Sequence, residues 1–207
     1  MNIISAFTTP LWESSAAEFF EYKDNCISCV KEMQTQYPNP DQKYFLNGYQ
    51  SPRKKLQHQE KMFPLFDYTI ATAEKATMDL SFVPSRCFIA DAWVNIANSK
   101  SAVLFNTIQR DTFTGLIFLK APTNSGKLFI SNPAMNLSWQ GGLLVEHKNQ
   151  YNSEKMHIQP KEGQLFVFPS YLSYGIEPNA TDEETICVVM SIIAIPEEAW
   201  NEQQQNS

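Results

Sequence analysis

Phe168-Pro-Ser-Tyr-Leu-Ser-Tyr-Gly-Ile-Glu-Pro-Asn179 is the stretch on which the reading of the fold turns. Gly163-Gln-Leu-Phe-Val-Phe168 stands before it, and Thr185-Ile-Cys-Val-Val-Met-Ser-Ile-Ile-Ala194 follows it. Both flanks are short, apolar and rich in β-branched or aromatic residues, as buried strands are. The prolines, serines, glycine and asparagine between them are turn formers. The region therefore reads as strand, tight connection, strand.

Working outward, the same punctuation recurs upstream. Candidate strands fall at 87–96, 102–108, 115–120, 127–131, 143–147, 155–159, 163–169 and 185–195. The first 85 residues have a different period. Ser15-Ala-Ala-Glu18 is a capping box, in which Glu18 can reach back to the Ser15 amide. Phe19, Phe20, Ile27, Val30 and Met33 then recur at helical spacing. Pro38-Asn-Pro40 ends that helix. A second helix is expected over 64–78, opened by Pro64, with Leu65, Phe66, Ile70 and Ala73 on its apolar face. Two helices followed by many short strands predict a mainly β (α+β) chain, a sandwich or jelly roll with N-terminal helices packed outside. One domain over 1–200 is expected: helices in 1–85, a jelly-roll core in 86–196, and a polar frayed tail over 201–207.

Composition narrows the function. The net charge is −6, and the basic residues are scattered except for Arg53-Lys-Lys55, which reads as a solvated loop beside Pro52. A nucleic-acid binder usually presents a basic face, so that class is set aside. No apolar run reaches the ~20 residues of a membrane span. The opening Met-Asn-Ile-Ile-Ser has no basic n-region and no long apolar core. An intracellular, cytoplasmic location is the expectation. Cys26-Ile-Ser-Cys29 has no second pair to make a zinc ribbon and sits within a helix, so these are read as buried thiols.

The order Gly, apolar strand, Phe-Pro-Ser, aromatic, then Tyr174-Gly-Ile-Glu-Pro-Asn179 resembles the distal half of an Fe(II)/2-oxoglutarate oxygenase family common in bacteria and marine phages. Phe7-Thr-Thr-Pro-Leu-Trp12 resembles its opening strand. Asn47-Gly-Tyr-Gln-Ser51 resembles its Gly-aromatic-Gln-Ser turn, and Asp91-Ala-Trp-Val-Asn-Ile96 its Trp-X-Asn strand. Asn124-Ser-Gly-Lys-Leu-Phe-Ile-Ser-Asn-Pro133 is similar to its Ser-Gly-X-Leu-X-Phe-X-X-Pro. The resemblance implies a double-stranded β-helix. It also aligns the family's three iron ligands with Asn106, Ile108 and Tyr174, and its oxoglutarate-binding Arg with a position near Thr185. A non-haem Fe(II) centre needs two imidazoles and a carboxylate. Asn is a weak neutral ligand, and Ile cannot bind a metal. No Lys, Arg or His follows Lys161, so the last strand carries no guanidinium for a carboxylate.

The chain is therefore identified as a degenerate member of that family: no catalytic residue, no metal, no cofactor. Its expected role is protein binding or assembly, in one form as a phage virion or tail-associated structural protein, with protein partners, no nucleic acid and no membrane. Two alternatives stand beside this reading. One is an active hydroxylase that uses Fe(II) and 2-oxoglutarate through other ligands. The other is a metal-free small-molecule binder, with Trp93, Asn106, Ser173, Tyr174 and Thr185 lining the old mouth. Ile108 and Tyr174 are expected to be buried and to fill that mouth. Glu146, His147, His157 and Asp111 are weighed as a substitute metal site and set aside, because Lys148 and Lys155 oppose a cation. Gly126 and Gly141-Gly142 are read as turns. Among the aromatics that punctuate the loops (Tyr37, Tyr44, Tyr49, Trp139, Tyr151, Tyr171 and Trp200), Trp139, Tyr151 and Tyr171 are the candidate interface anchors.

Overall fold

The computed structural model describes residues 8–15, 19–38, 45–108, 111–133 and 153–205. Within them the chain runs β1 (Trp12–Ser15), α1 (Phe19–Gln36), β2 (Phe45–Gln50), two 3-10 turns, α2 (Phe63–Asp79), β3 (Ser85–Asn106), β4 (Phe113–Lys120), β5 (Leu128–Ser131), β6 (Lys155–Ile158), β7 (Gln164–Pro169), β8 (Tyr174–Ile176), β9 (Thr185–Pro196) and α3 (Glu197–Gln205). The strands pair in the order β1-β7-β4-β9-β3-β8-β5-β6, all antiparallel, with β2 also on β3. Antiparallel strands with few helices, folded over into two facing layers, make the double-stranded β-helix.

Strand β3 joins the two layers. Its first part, Ser85 to Ala97, pairs with β9, and Val103 and Asn106 pair with β8. The sequence predicts two strands in this region, broken by Asn98-Ser-Lys-Ser101. The chain bends instead: Lys100 takes a left-handed φ of 64°. Backbone bonds between Lys100, Ser101 and Asn179 hold the corner within the sheet. Two apolar clusters result. One lies between sheet and helices and holds Phe19, Val30, Leu65, Val94, Val188 and Met190. The other fills the roll and holds Trp93, Leu116, Phe118, Phe168, Tyr174 and Val189. Past the bulge at Ile89–Asp91, alternation sends Trp93 and Ala97 of β3 and Cys187 and Val189 of β9 into the roll, and Ala92, Val94, Ile96, Ile186, Val188 and Met190 toward the helices.

The helices pack on one face of the larger layer. In α1 the buried stripe is Phe19, Cys26, Cys29, Val30 and Met33. Phe20, expected in that stripe, is 68% exposed. It lies one residue, about 100° of helix turn, away from Phe19, and the two cysteines take the positions between. The helix α2 carries Pro64 in its first turn, and Leu65, Phe66, Thr69 and Ala73 are buried, with Ile70 only partly so. The capping-box residues 16–18 lie outside the described residues, as does the candidate strand 143–147. The tail expected to fray is in part helix: α3 runs to Gln205. Its Trp200 packs on Phe88, its Glu197 pairs with Arg86 at 3.1 Å, and the Glu197 amide donates to the Pro84 carbonyl. Asn47-Gly-Tyr-Gln-Ser51, expected as a turn, mostly forms β2. The three-residue β8 is too short to show any periodicity in sequence. Among the described residues, no helix is long and apolar enough to cross a membrane.

Candidate functional site

The interior of the roll carries most of the residues that the sequence singles out. Tyr174 is fully buried on β8, opposite Asn106 on β3. Its ring meets Phe168 edge to face, with centroids 5.6 Å apart. Such a contact is worth about 0.5–1.5 kcal/mol beyond its burial. The Asn106 amide nitrogen donates to the Tyr174 hydroxyl at 3.2 Å, and the hydroxyls of Thr107 and Ser173 lie 2.7 Å apart beside them. Burial pushes the phenol above its ordinary value, and the buried Cys187 thiol adds to this. The Arg53 charge and the Asn106 bond act against it without reversing it. The interior thus favours the protonated phenol.

Ile108 departs in part from expectation. It packs against the interior cluster but is only half-buried, because β3 ends at Asn106 and Ile108 lies just past that last rung. Thr185 is buried at the start of β9, and its hydroxyl finds no hydrogen-bond partner among the described residues. Gln50 and Asn95, both buried, are joined amide to amide at 2.7 Å.

Lys54 and Lys55 are exposed, as the reading of Arg53-Lys-Lys55 as a solvated loop has it, but Arg53 departs from that reading. Its guanidinium carbon sits 3.3 Å from the ring centroid of Trp93, which is completely buried. Its Nη1 donates to Asp91 Oδ2 at 3.3 Å, and the Lys54 amide donates to Asp91 Oδ1 at 2.7 Å. A bulge between Ile89 and Asp91 turns Asp91 toward the roll. Asp91 faces Ser191, which faces Thr114, so one row of the sheet ends in polar side chains. Asp111 accepts a hydrogen bond from the Ser191 hydroxyl, and its backbone carbonyl accepts one from Ser170. Sequence reasoning misses the Arg53, Asp91 and Trp93 group because Arg53 and Asp91 are 38 residues apart and only the β2–β3 pairing brings them together.

The other candidates scatter. His157 pairs with Glu177 at 2.9 Å on a partly exposed face, while Asp111 is engaged with Ser191. Glu146, His147, Gly141, Gly142, Tyr44, Trp139 and Tyr151 lie outside the described residues. Tyr171 is 58% exposed, whereas Tyr49 is buried on β2 and donates to the Met33 carbonyl. Gly126 is a close-approach point, where a Cβ would run into the Glu177 carbonyl. The Cys26 and Cys87 thiols are buried and pushed up to about 12, largely by desolvation, so they are poor nucleophiles. Among the described residues, no three His, Cys, Asp or Glu side chains gather closely enough to hold a metal. An amide, an alkyl chain and a neutral buried phenol do not fit an Fe(II) centre.

Comparison with known proteins places this geometry. The sequence profile of the family described as "Putative 2OG-Fe(II) oxygenase" matches residues 91–191. No curated protein matches the chain in sequence. A prolyl-4-hydroxylase from Pseudomonas putida is similar in structure at 9% identity and TM-score 0.63, over 90% of this chain and 93% of that one. The viral collagen prolyl hydroxylase of Paramecium Bursaria Chlorella virus-1 is similar at 14% identity and TM-score 0.56, over 88% and 94%. HygX from Streptomyces hygroscopicus, solved with nickel and 2-oxoglutarate bound, is similar at 10% identity and TM-score 0.61, over 92% and 84%. The chain thus carries the double-stranded β-helix of the 2-oxoglutarate oxygenases, and its residues 91–191 match an oxygenase family in sequence.

Proposed function

We propose that this chain does not oxidise a substrate and works by contact with other protein chains, on an oxygenase-like scaffold whose metal positions are held by Asn106, Ile108 and Tyr174. The observation that carries the proposal is the Asn106–Tyr174 hydrogen bond inside the roll. It joins two aligned ligand positions to each other and commits both to packing. Thr185, at the position aligned with the oxoglutarate-binding Arg, offers a hydroxyl and no charge. A multi-copy assembly, such as a virion or tail structure, is the form of contact we favour. Tyr171, exposed on the turn after β7, is its anchor among the described residues.

The test has two arms. Protein loaded anaerobically with Fe(II) and 2-oxoglutarate is expected to retain no iron and, once oxygen is admitted, to form no succinate. Near-stoichiometric iron, or succinate turnover, overturns the proposal. Light scattering and crosslinking in the native source are expected to show several copies or a fixed protein partner, with Tyr171→Ala weakening the association by more than ~1 kcal/mol. A chain that stays monomeric and partnerless at high concentration removes the assembly role.

A further inference from the structure

Lys54 and Lys55 follow Arg53 on the same corner, and both are exposed. Among the described residues, neither side chain has an ion-pair partner. Three cations and one carboxylate, Asp91, leave this corner at +2 in a chain of −6, so the remainder carries −8. The corner is also rigid. Ser51 is completely buried and latched to Val94 in both directions, amide to carbonyl at 3.0 Å and Val94 amide to Ser51 hydroxyl at 3.1 Å. Lys54 takes a left-handed φ of 59°, held by its bond to Asp91. For a non-glycine residue that conformation costs energy and persists only where its surroundings enforce it.

The Arg53 guanidinium has one face on Trp93 and one donor on Asp91. A guanidinium presents five N–H donors, and 34% of this side chain remains accessible. The donors that Asp91 does not engage suit a carboxylate as the ligand. The fixed backbone means that little ordering entropy is lost when one binds. From these observations we infer that the Arg53-Lys54-Lys55 corner docks an acidic segment of a partner protein, with a Glu or Asp carboxylate on Arg53 and neighbouring carboxylates on Lys54 and Lys55. This inference rests on the protein-contact reading above and names the partner's chemistry. Nucleic acid fits less well, because a phosphate backbone calls for a broad basic face and the rest of this chain repels it.

The experiment titrates fluorescein-labelled oligoglutamate into the full chain at low salt and reads anisotropy and tryptophan fluorescence. Saturable binding is expected, weakened at least tenfold by the double variant K54E/K55E and by physiological salt. Both lysines are exposed, so that variant keeps the fold, which circular dichroism verifies. Arg53→Lys keeps the charge and loses the stack, and the fluorescence change on binding should disappear with it. No binding, equal binding by K54E/K55E, or tighter binding of an oligothymidylate than of oligoglutamate overturns the inference. Such a result leaves the iron and succinate assays untouched, so failure here is distinct from failure of the broader proposal.

Discussion

Tyr174 buries a phenol completely and still gives its hydroxyl a partner. Removing the ring leaves a cavity against Phe168 and strands the Asn106 amide, so Tyr174→Ala is expected to cost about 3–5 kcal/mol. Tyr174→Phe keeps the packing and loses only the bond, at a cost of about 1–3 kcal/mol for the unpaired amide. Urea unfolding of the two variants checks the ranking, and equal midpoints would show that packing is not what the tyrosine supplies. The same burial governs the response to alkali. Cys26 and Cys87 are raised from 9.0 to about 12, and Cys29, Cys187 and Tyr174 are raised as well. In each case the fold favours the protonated form, so the stabilisation is complete below the unfolded value. It is lost as pH climbs from about 9 toward about 12, because the unfolded chain releases these protons first. The urea midpoint is expected to hold near neutral pH and to fall steadily above about pH 9. A midpoint constant to about pH 11 contradicts the assignment of these groups to the interior.

At the level of elements, two glycines mark where backbone meets neighbour. Gly115 on β4 lies beneath α2, where a Cβ would stand 2.9 Å from Thr69 Cγ2 and 3.1 Å from Ile192 Cδ1. The Ile192 tip can turn aside, whereas Thr69, buried and bonded to the Leu65 carbonyl, shifts only with its helix, yet both obstacles are side chains rather than backbone. At Gly126 the obstacle is the Glu177 carbonyl, in a segment held by the Glu177 amide bond to the Lys127 carbonyl at 2.9 Å. Gly126→Ala is therefore expected to destabilise more than Gly115→Ala, with the latter at the low end of the ~1–3 kcal/mol typical of overpacking. Chemical denaturation decides the order, and the reverse order would mean that the β5–β8 corner yields more easily than the α2 packing. The length of β3 has a comparable cause. A strand that serves two layers must bend, and Lys100 with Ser101 provides the bend while Asn179 supplies bonds that a free turn would have sought from water.

For the whole molecule, the proposal of an altered centre on an oxygenase-like scaffold is testable by rebuilding the centre. Replacing Asn106→His, Ile108→Asp and Tyr174→His together is expected to give weak Co(II) binding, visible as d–d absorption, because the two imidazoles and carboxylate of the facial set are then present. Succinate formation is expected to remain absent until Thr185→Arg is added, since oxoglutarate needs a guanidinium for its carboxylate. Cobalt binding by the unaltered chain at the same position would show that Asn106, Ile108 and Tyr174 still form a metal centre.

How much of the fold is legible in sequence depends on how local each signal is. The mainly β class and the two N-terminal helices rest on apolar periodicity and on residue types, which neighbours in sequence determine, whereas the burial of Tyr174 follows from the resemblance that sets it at a ligand position. The Phe168–Asn179 stretch reads locally as strand, turn and strand, and it suggests the roll only through the family resemblance and the many short strands around it. Phe20, α3 and the merged β3 depart from expectation where a one-residue phase, a docking partner or a bend held by Asn179 matters more than propensity. Arg53 shows the other limit. In sequence it is the first of three adjacent cations beside a proline, with nothing to separate it from the two lysines. Only the pairing of β2 with β3, and a bulge that turns Asp91 inward, set its guanidinium on a buried indole. Local pattern determined that this chain folds as a helix-flanked jelly roll. Long-range strand pairing, which no local pattern encodes, decided which charges meet at its mouth.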